Sequence, residues 1–279
     1  MDQNTPLQLS VIISTYNQPA WLHKVLIGYE QQTYPHFEVI IADDGSGEET
    51  RQLIEQHQEK GKLSIRHVWH EDRGFQKTAI LNKATVAANN PYLLFTDGDC
   101  IPRADFLATH VHFAEKGYLL SGGYCKLPMA LSQQITEDDI QQQRCFDPQW
   151  LKANGLTGGS QLRKLSASPR WGAFWDFITP TKATFNGCNT SVWKADVLAV
   201  NGGDERMQYG GQDRELGERL FNLGIKSKQI RHRAILLHLD HKRGYKTKES
   251  MDRNRAIRAH TRKHKLVRTA YGITSNREM

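Results

Sequence analysis

What most limits the fold of this chain is an alternation, over its first 125 residues, of short apolar runs with stretches of helical periodicity. Leu9 to Ile13, Phe37 to Ala42, Leu63 to Val68, Tyr92 to Thr96 and Tyr118 to Ser121 have strand length and are rich in β-branched or aromatic residues. Between them, Trp21 to Gln32, Glu48 to Glu59, Thr78 to Asn89 and Arg103 to Glu115 carry helical spacing. Apolar strands separated by helices predict an α/β fold with a mainly parallel central sheet flanked by helices. In such sheets ligands collect beyond the carboxyl ends of the strands.

The alternation stops between Lys126 and Pro180. A Gln-rich stretch, Leu131 to Gln143, reads as helical, and the segment holding Trp150, Trp171 and Trp175 reads as irregular binding loops or a lid. Order resumes at Phe185 to Ser191, continues through a helix from Arg214 to Leu223 stopped by Gly224, and reaches a strand from Gln229 to Leu239. Lys246 to Thr269 reads as a polar, basic helix. The expected organisation is a nucleotide-binding half (residues 1–125), an acceptor-binding and catalytic half (126–245) and a basic helical tail (246–279).

The net charge of +7 is unevenly spread. From Ile225 onward 16 Lys/Arg face 4 Asp/Glu, a net of +12, so the remainder carries −5. A tail of this kind suits an anionic membrane surface or a phosphorylated ligand. No RRM, KH or zinc-finger pattern accompanies it, so a nucleic-acid partner is not expected. The four cysteines are widely spaced with no CxxC pair, which favours reduced thiols. No apolar run approaches the roughly 18–20 residues that span a bilayer, and the N-terminus has no basic-then-apolar leader. A cytoplasmic location follows as the expectation, with peripheral membrane attachment through the tail.

Three polar clusters end successive strands. Ser14-Thr15-Tyr16-Asn17 follows the first, Asp43-Asp44-Gly45-Ser46 the second, and Asp97-Gly98-Asp99 the fourth. Paired carboxylates around a glycine supply hard oxygen ligands for Mg²⁺ or Mn²⁺ shared with substrate phosphates. An aromatic face, hydroxyls and an acceptor-only carboxylate suit stacking on a base and accepting its imide N–H. Each cluster is also, taken singly, a plausible strand-end turn.

In their order and spacing these stretches resemble family 2 glycosyltransferases of the GT-A fold, a Rossmann-like architecture. Phe185-Asn186-Gly187-Cys188-Asn189-Thr190-Ser191 and Gly210-Gly211-Gln212-Asp213-Arg214-Glu215-Leu216 resemble a galactosyltransferase-like extension. The resemblance implies that Ser14, Thr15, Tyr16, Asn17, Asp43 and Asp44 surround the uridine of a UDP-sugar, the donor. It places Arg73, Gly74 and Lys77 on a loop reaching the donor phosphates, with Asp97 and Gly98 beside them. Asp97 and Asp99 match the divalent-metal motif, and His238 or His241 matches a further ligand to Mn²⁺ or Mg²⁺. Asp213 matches the catalytic base of inverting members, with Glu215 facing elsewhere on the same helix. The family's usual Glu-Asp is here Gln212-Asp213, which puts acceptor identity in question. Trp171, Trp175, Asn189 and Gln212 are the acceptor-binding candidates, and Trp193 reads as core. A glycan or glycolipid acceptor in bacterial surface polysaccharide or lipopolysaccharide assembly is the setting implied.

A nicotinamide oxidoreductase is disfavoured because no GxGxxG follows the first strand, and a P-loop hydrolase because GxxxxGK[ST] is absent. A sugar nucleotidyltransferase shares the acidic metal pair but lacks its N-terminal Gly-rich phosphate loop. A non-catalytic nucleic-acid or membrane-binding protein is the remaining alternative class.

Overall fold

The structure, a computed structural model, describes residues 5–166, 169–241 and 247–274. A seven-stranded sheet runs in the order β3-β2-β1-β4-β8-β6-β9. These strands are β1 (Leu9–Thr15), β2 (Phe37–Asp43), β3 (Ile65–Trp69), β4 (Tyr92–Asp97), β6 (Tyr118–Ser121), β8 (Thr190–Trp193) and β9 (Lys226–Gln229). A small sheet joins β5 (Cys100–Pro102), β10 (Leu236–His238) and β7 (Cys125–Lys126). All neighbours in the large sheet are parallel except β8, which pairs antiparallel with β4 and β6.

Burial explains why the central strands are apolar throughout. Leu9, Val11 and Ile13 point to one face with Val39 and Ile41, and Ile12 points to the other with Ile40 and Ala42. Both faces are covered by helices, so alternate residues of β1 feed two cores and all seven are buried. Trp193 lies in the first core. All four cysteines are free and buried. Among the described residues no helix is long and apolar enough to cross a membrane.

The Gln-rich stretch is helical as expected, in two short helices, Met129–Gln134 and Glu137–Gln141, because Thr136 and Asp139 form a capping box that starts the second. Two expectations are corrected. Most of the segment expected to be irregular forms short helices, Pro148–Ala153, Gly159–Ser166 and Pro169–Ile178. The single strand expected from Gln229 to Leu239 is split between the two sheets. Its middle turns at His232 and Arg233, and Asp176 holds the turn by accepting from the His232 backbone N–H (2.9 Å) and from Arg233 Nε (2.7 Å).

The basic helix Lys248–Lys263 is packed on helix Gln212–Asn222. Between them lies an ion pair of Glu215 and Arg219 (2.8 Å), each side chain 1% exposed, and Thr261 Oγ1 donates to the same carboxylate (2.8 Å). Removing one partner of such a buried pair typically costs about 3–5 kcal/mol. Arg258 adds a contact to Glu218 (2.6 Å). Glu215 is thereby consumed in fastening the two helices, and the C-terminal helix is packed onto the body of the fold.

Candidate active site

The carboxyl ends of β1, β2 and β4 open into a cleft of about 920 Å³. Its floor is formed by the first motif and the Asp97-Gly98-Asp99 turn. Gly98 N–H donates to the Ser14 carbonyl (2.8 Å), and Ser14 Oγ donates to Asp97 (2.8 Å), so the two strand ends are stitched together. Ser14, Thr15, Tyr16, Asn17, Asp44, Gly74, Lys77, Asp97, Gly98 and Asp99 all line the cleft.

At the first strand end the Tyr16 hydroxyl donates to Asp72 (2.8 Å) while 46% of the residue stays exposed, so its ring is fixed and open to a stacking partner. Asp44 is held by His70 (2.8 Å) and by the Gln76 backbone N–H (3.0 Å). Burial raises its carboxyl above the ordinary range, against the opposing pull of His70 and Lys77. Gly45 sits between at φ +94°, where a Cβ would come within 2.6 Å of the Asp72 backbone. The close approach of the Asp72 loop to β2 therefore requires glycine. Asp43 does not line the cleft. It is fully buried and accepts from the Ser46 N–H (2.8 Å) and His67 (2.9 Å), so it shapes the turn that presents Asp44.

Lys77 opens helix Lys77–Ala87 and reaches Asp97 at 2.5 Å. Burial alone would lower its pKa, but Asp97, with Asp99 and Asp213 behind it, raises it above the ordinary lysine value. Burial likewise works against the Asp97 carboxylate, yet Lys77 and Ser14 hold its pKa below normal. Both groups remain charged near neutrality. Arg73, by contrast, is 72% exposed at the side chain and forks onto Glu71 (3.0 Å), away from the cleft lining.

The small sheet completes the acidic end. Antiparallel pairing sets His238 opposite Cys100, and Leu239 N–H donates to the Asp99 carbonyl (2.8 Å). His241 Nε2 then lies 3.1 Å and His238 Nε2 3.9 Å from one oxygen of Asp99. The Nδ1 of His238 sits 2.8 Å from the Leu239 carbonyl, a contact only a protonated Nδ1 can make. That leaves Nε2 as the ring nitrogen facing the carboxylate. An imidazole nitrogen and a carboxylate oxygen 3.9 Å apart fit a shared cation, and the imidazole–carboxylate set suits Mn²⁺ better than Mg²⁺. The neighbouring Cys100 thiol, pushed well up by burial, lies with Asp99 and His238 in a group whose ligand atoms are all within 4.8 Å of one another.

Asp213 faces this array from the other wall. Gly211 is the N-cap of helix Gln212–Asn222 at φ +85°, and Asp213 stands in the first turn. Its carboxylate accepts from the Gly187 N–H at 3.2 Å. Gln212 also lines the cleft and accepts from Gly210 N–H (2.9 Å). The C-terminal helix positions this loop: Asn254, fully buried, donates to the carbonyls of Gln208 (2.8 Å), Tyr209 (3.2 Å) and Gly210 (3.0 Å). Met251 from the same helix reaches the cleft wall.

The remaining acceptor candidates lie elsewhere. Asn189 is fully buried and spends its amide on the Gly123 (2.7 Å) and Ala234 (3.2 Å) carbonyls and on His110 (2.9 Å). It ties β6, β8 and the approach to β10 together. Trp171 and Trp175 sit on helix Pro169–Ile178 and do not line the cleft. Sequence reasoning missed Phe75 and Tyr209, whose rings meet edge to face at 6.0 Å in the cleft, and Tyr124, whose ring lies 5.3 Å from that of His238. The two glycines after Tyr209 were the available signal for the second.

Residues 10–129 match the model of glycosyl transferase family 2, and residues 174–242 match that described as the N-terminal domain of galactosyltransferase. Over these stretches the chain is similar to the glycosyltransferases of family 2. It is 28% identical over 235 residues to validoxylamine A glucosyltransferase of Streptomyces hygroscopicus subsp. jinggangensis, covering 78% of this chain and 52% of that protein. It thus spans about half the length of that curated relative. Solved structures share its GT-A fold. One is S. aureus TarS in complex with UDP-GlcNAc (TM-score 0.59, 16% identity, 86% of this chain and 60% of that one). Another is the mannosyltransferase PcManGT from Pyrobaculum calidifontis in complex with GDP-Man and Mn²⁺ (TM-score 0.58, 19% identity, 87% and 59%).

Proposed function

We propose that the cleft binds a UDP-sugar with a divalent cation and transfers the sugar, with inversion, to a hydroxyl of a glycan or glycolipid. The observation that carries this reading is the convergence of Tyr16 and Asp44 at one end, the Asp97/Asp99/His238/His241 array in the middle, and Asp213 on the far wall of a single cleft. The Tyr16 ring stacks on the uracil, and Asp44 accepts its single imide N–H with a lone pair not used by His70 or Gln76. Lys77 and the motif carboxylates bracket the pyrophosphate. Asp99, His238 and His241 would hold the cation, which supplies charge neutralisation to the leaving UDP. Asp213 takes the proton from the acceptor hydroxyl as that oxygen attacks the anomeric carbon opposite the departing phosphate. Binding both partners in line removes the entropic cost of their encounter.

The two neighbouring structures hold different nucleotides, so the base is set by this chain's own residues. TarS is by name a poly(ribitol-phosphate) β-N-acetylglucosaminyltransferase, which supports assembly of a bacterial surface glycan as the setting. With Mn²⁺ and a panel of α-linked UDP-sugars, water should replace the acceptor slowly, and the sugar first released should be the β anomer by proton NMR. Release of the α anomer first, or turnover of GDP-sugars in preference to UDP-sugars, would overturn the reading.

A further inference from the structure

Helix Pro169–Ile178 is amphipathic in the wrong sense for a helix whose surroundings are water. Its buried positions are Gly172 and Asp176. A Cβ at Gly172 would come within 2.9 Å of both the His232 carbonyl and Arg233, so only glycine lets the helix settle there. Asp176 is 8% exposed and locked by His232 and Arg233. Those polar contacts fix the helix rotation and turn its apolar residues outward. Trp171 is 61% exposed, Phe174 47%, Phe177 88% and Ile178 43%. Four large apolar side chains within eight residues form a contiguous patch, which soluble surfaces seldom carry without a partner.

The charge of the sequence around the helix is mostly of one sign. Residues 158–184 contain Arg163, Lys164, Arg170 and Lys182 against the single acid Asp176. That acid is buried in its contact with Arg233, while Arg163 and Lys182 are exposed. Arg163 lies 5.1 Å from the centre of the Trp175 ring, and Lys164 donates to the carbonyl of Tyr124 (3.0 Å), a residue of the cleft wall. The patch therefore adjoins the cleft.

We propose that helix Pro169–Ile178 docks on an anionic membrane surface. Trp171, Phe174, Phe177 and Ile178 enter the headgroup–acyl boundary, and Arg163 and Lys182 meet lipid phosphates. On this proposal the docking element is this helix and not the C-terminal one, two of whose cations, Arg258 and Arg262, face Glu218. Docking would hold the cleft close to the lipid surface and select a glycolipid acceptor. That last consequence rests on the transfer reading above, whereas membrane docking does not.

Vesicle sedimentation of the full chain tests this at low salt, with phosphatidylglycerol–phosphatidylcholine vesicles and with phosphatidylcholine alone. The native chain should bind the anionic vesicles. Trp171→Ser/Phe174→Ser/Phe177→Ser should weaken that binding at least tenfold, and Phe177→Asp alone severalfold, with thermal stability retained because these side chains are exposed. Arg255→Glu/Lys263→Glu on the C-terminal helix should change it less than twofold. Failure of the native chain to bind anionic vesicles would overturn the proposal. So would loss of binding in the C-terminal variant but not in the triple variant. A native dimer that the triple variant converts to monomer, without vesicle binding, would make the patch a self-association surface instead.

Discussion

Asp213→Asn should lower the transfer rate by about 10²–10⁴-fold while leaving UDP affinity within about threefold of the native chain. The carboxylate is held by the Gly187 N–H on the wall facing the Asp97–Asp99 turn, and the amide preserves its size but cannot take a proton. The motif residues sit on β1, β2 and β4, and Lys77 feels the charge at position 213 less than those of Asp97 and Asp99. The expected signature is a fall in kcat with donor KM almost unchanged. Steady-state kinetics on the acceptor identified by screening separates this from a folding defect, and equal losses in donor binding and kcat would contradict the assignment. Glu215 cannot substitute, since its carboxylate is committed to Arg219 and Thr261 in the helix interface.

Asp99→Ala should weaken Mn²⁺–UDP binding by about a hundredfold or more. Loss of residues that merely orient a ligand typically costs 10–100-fold, and a direct ligand should cost at least as much. Asp99 is the point on which both His238 and His241 converge, so its removal takes away the carboxylate that the two imidazoles share. Calorimetric titration of Mn²⁺ into the UDP-loaded chain measures this directly. His241→Ala should give a smaller loss, because His238 retains its orientation through the Leu239 carbonyl. An Asp99→Ala chain that binds Mn²⁺–UDP as tightly as the native one would move the cation elsewhere.

The nucleotide end of this site was legible because strand runs and their terminal polar clusters are local in sequence. Leu9 to Thr15 and Tyr92 to Asp97 are apolar to the last turn of the strand, so Ser14 and Asp97 are carried to the sheet edge by the pattern itself. Asp43 and Asp44 are adjacent, and the pleat sends one into the Ser46 turn and the other into the cleft. Which does which is settled by His67 and His70, about 25 residues away. Arg73 looked like a phosphate ligand by charge, yet the nearer Glu71 captures it.

The acceptor end was less readable for a related reason. Asn189 stands in a motif-like run, but the carbonyls of Gly123, just past β6, and Ala234, just before β10, need a donor, and the side chain is used there. The Trp-bearing segment lacks a strand-helix period, so its orientation depends on Gly172 and Asp176 meeting His232 and Arg233 some 60 residues on. The contribution of the C-terminal helix was hidden by composition. Its many cations suggested a detached tail, whereas Asn254 and Thr261, two buried polar residues, bolt it to the loop that carries Asp213.

The central claim is that one cleft holds a uridine nucleotide and a cation together. Thermal unfolding of the native chain with UDP alone, Mn²⁺ alone and both tests it most directly. Saturation at 100 times Kd adds about 2.7 kcal/mol of stability, a shift of several degrees. A shift that needs both ligands, exceeds that given by GDP and Mn²⁺, and disappears in Asp99→Ala is the result expected. No shift with UDP and Mn²⁺ together, or an equal shift in Asp99→Ala, would contradict it.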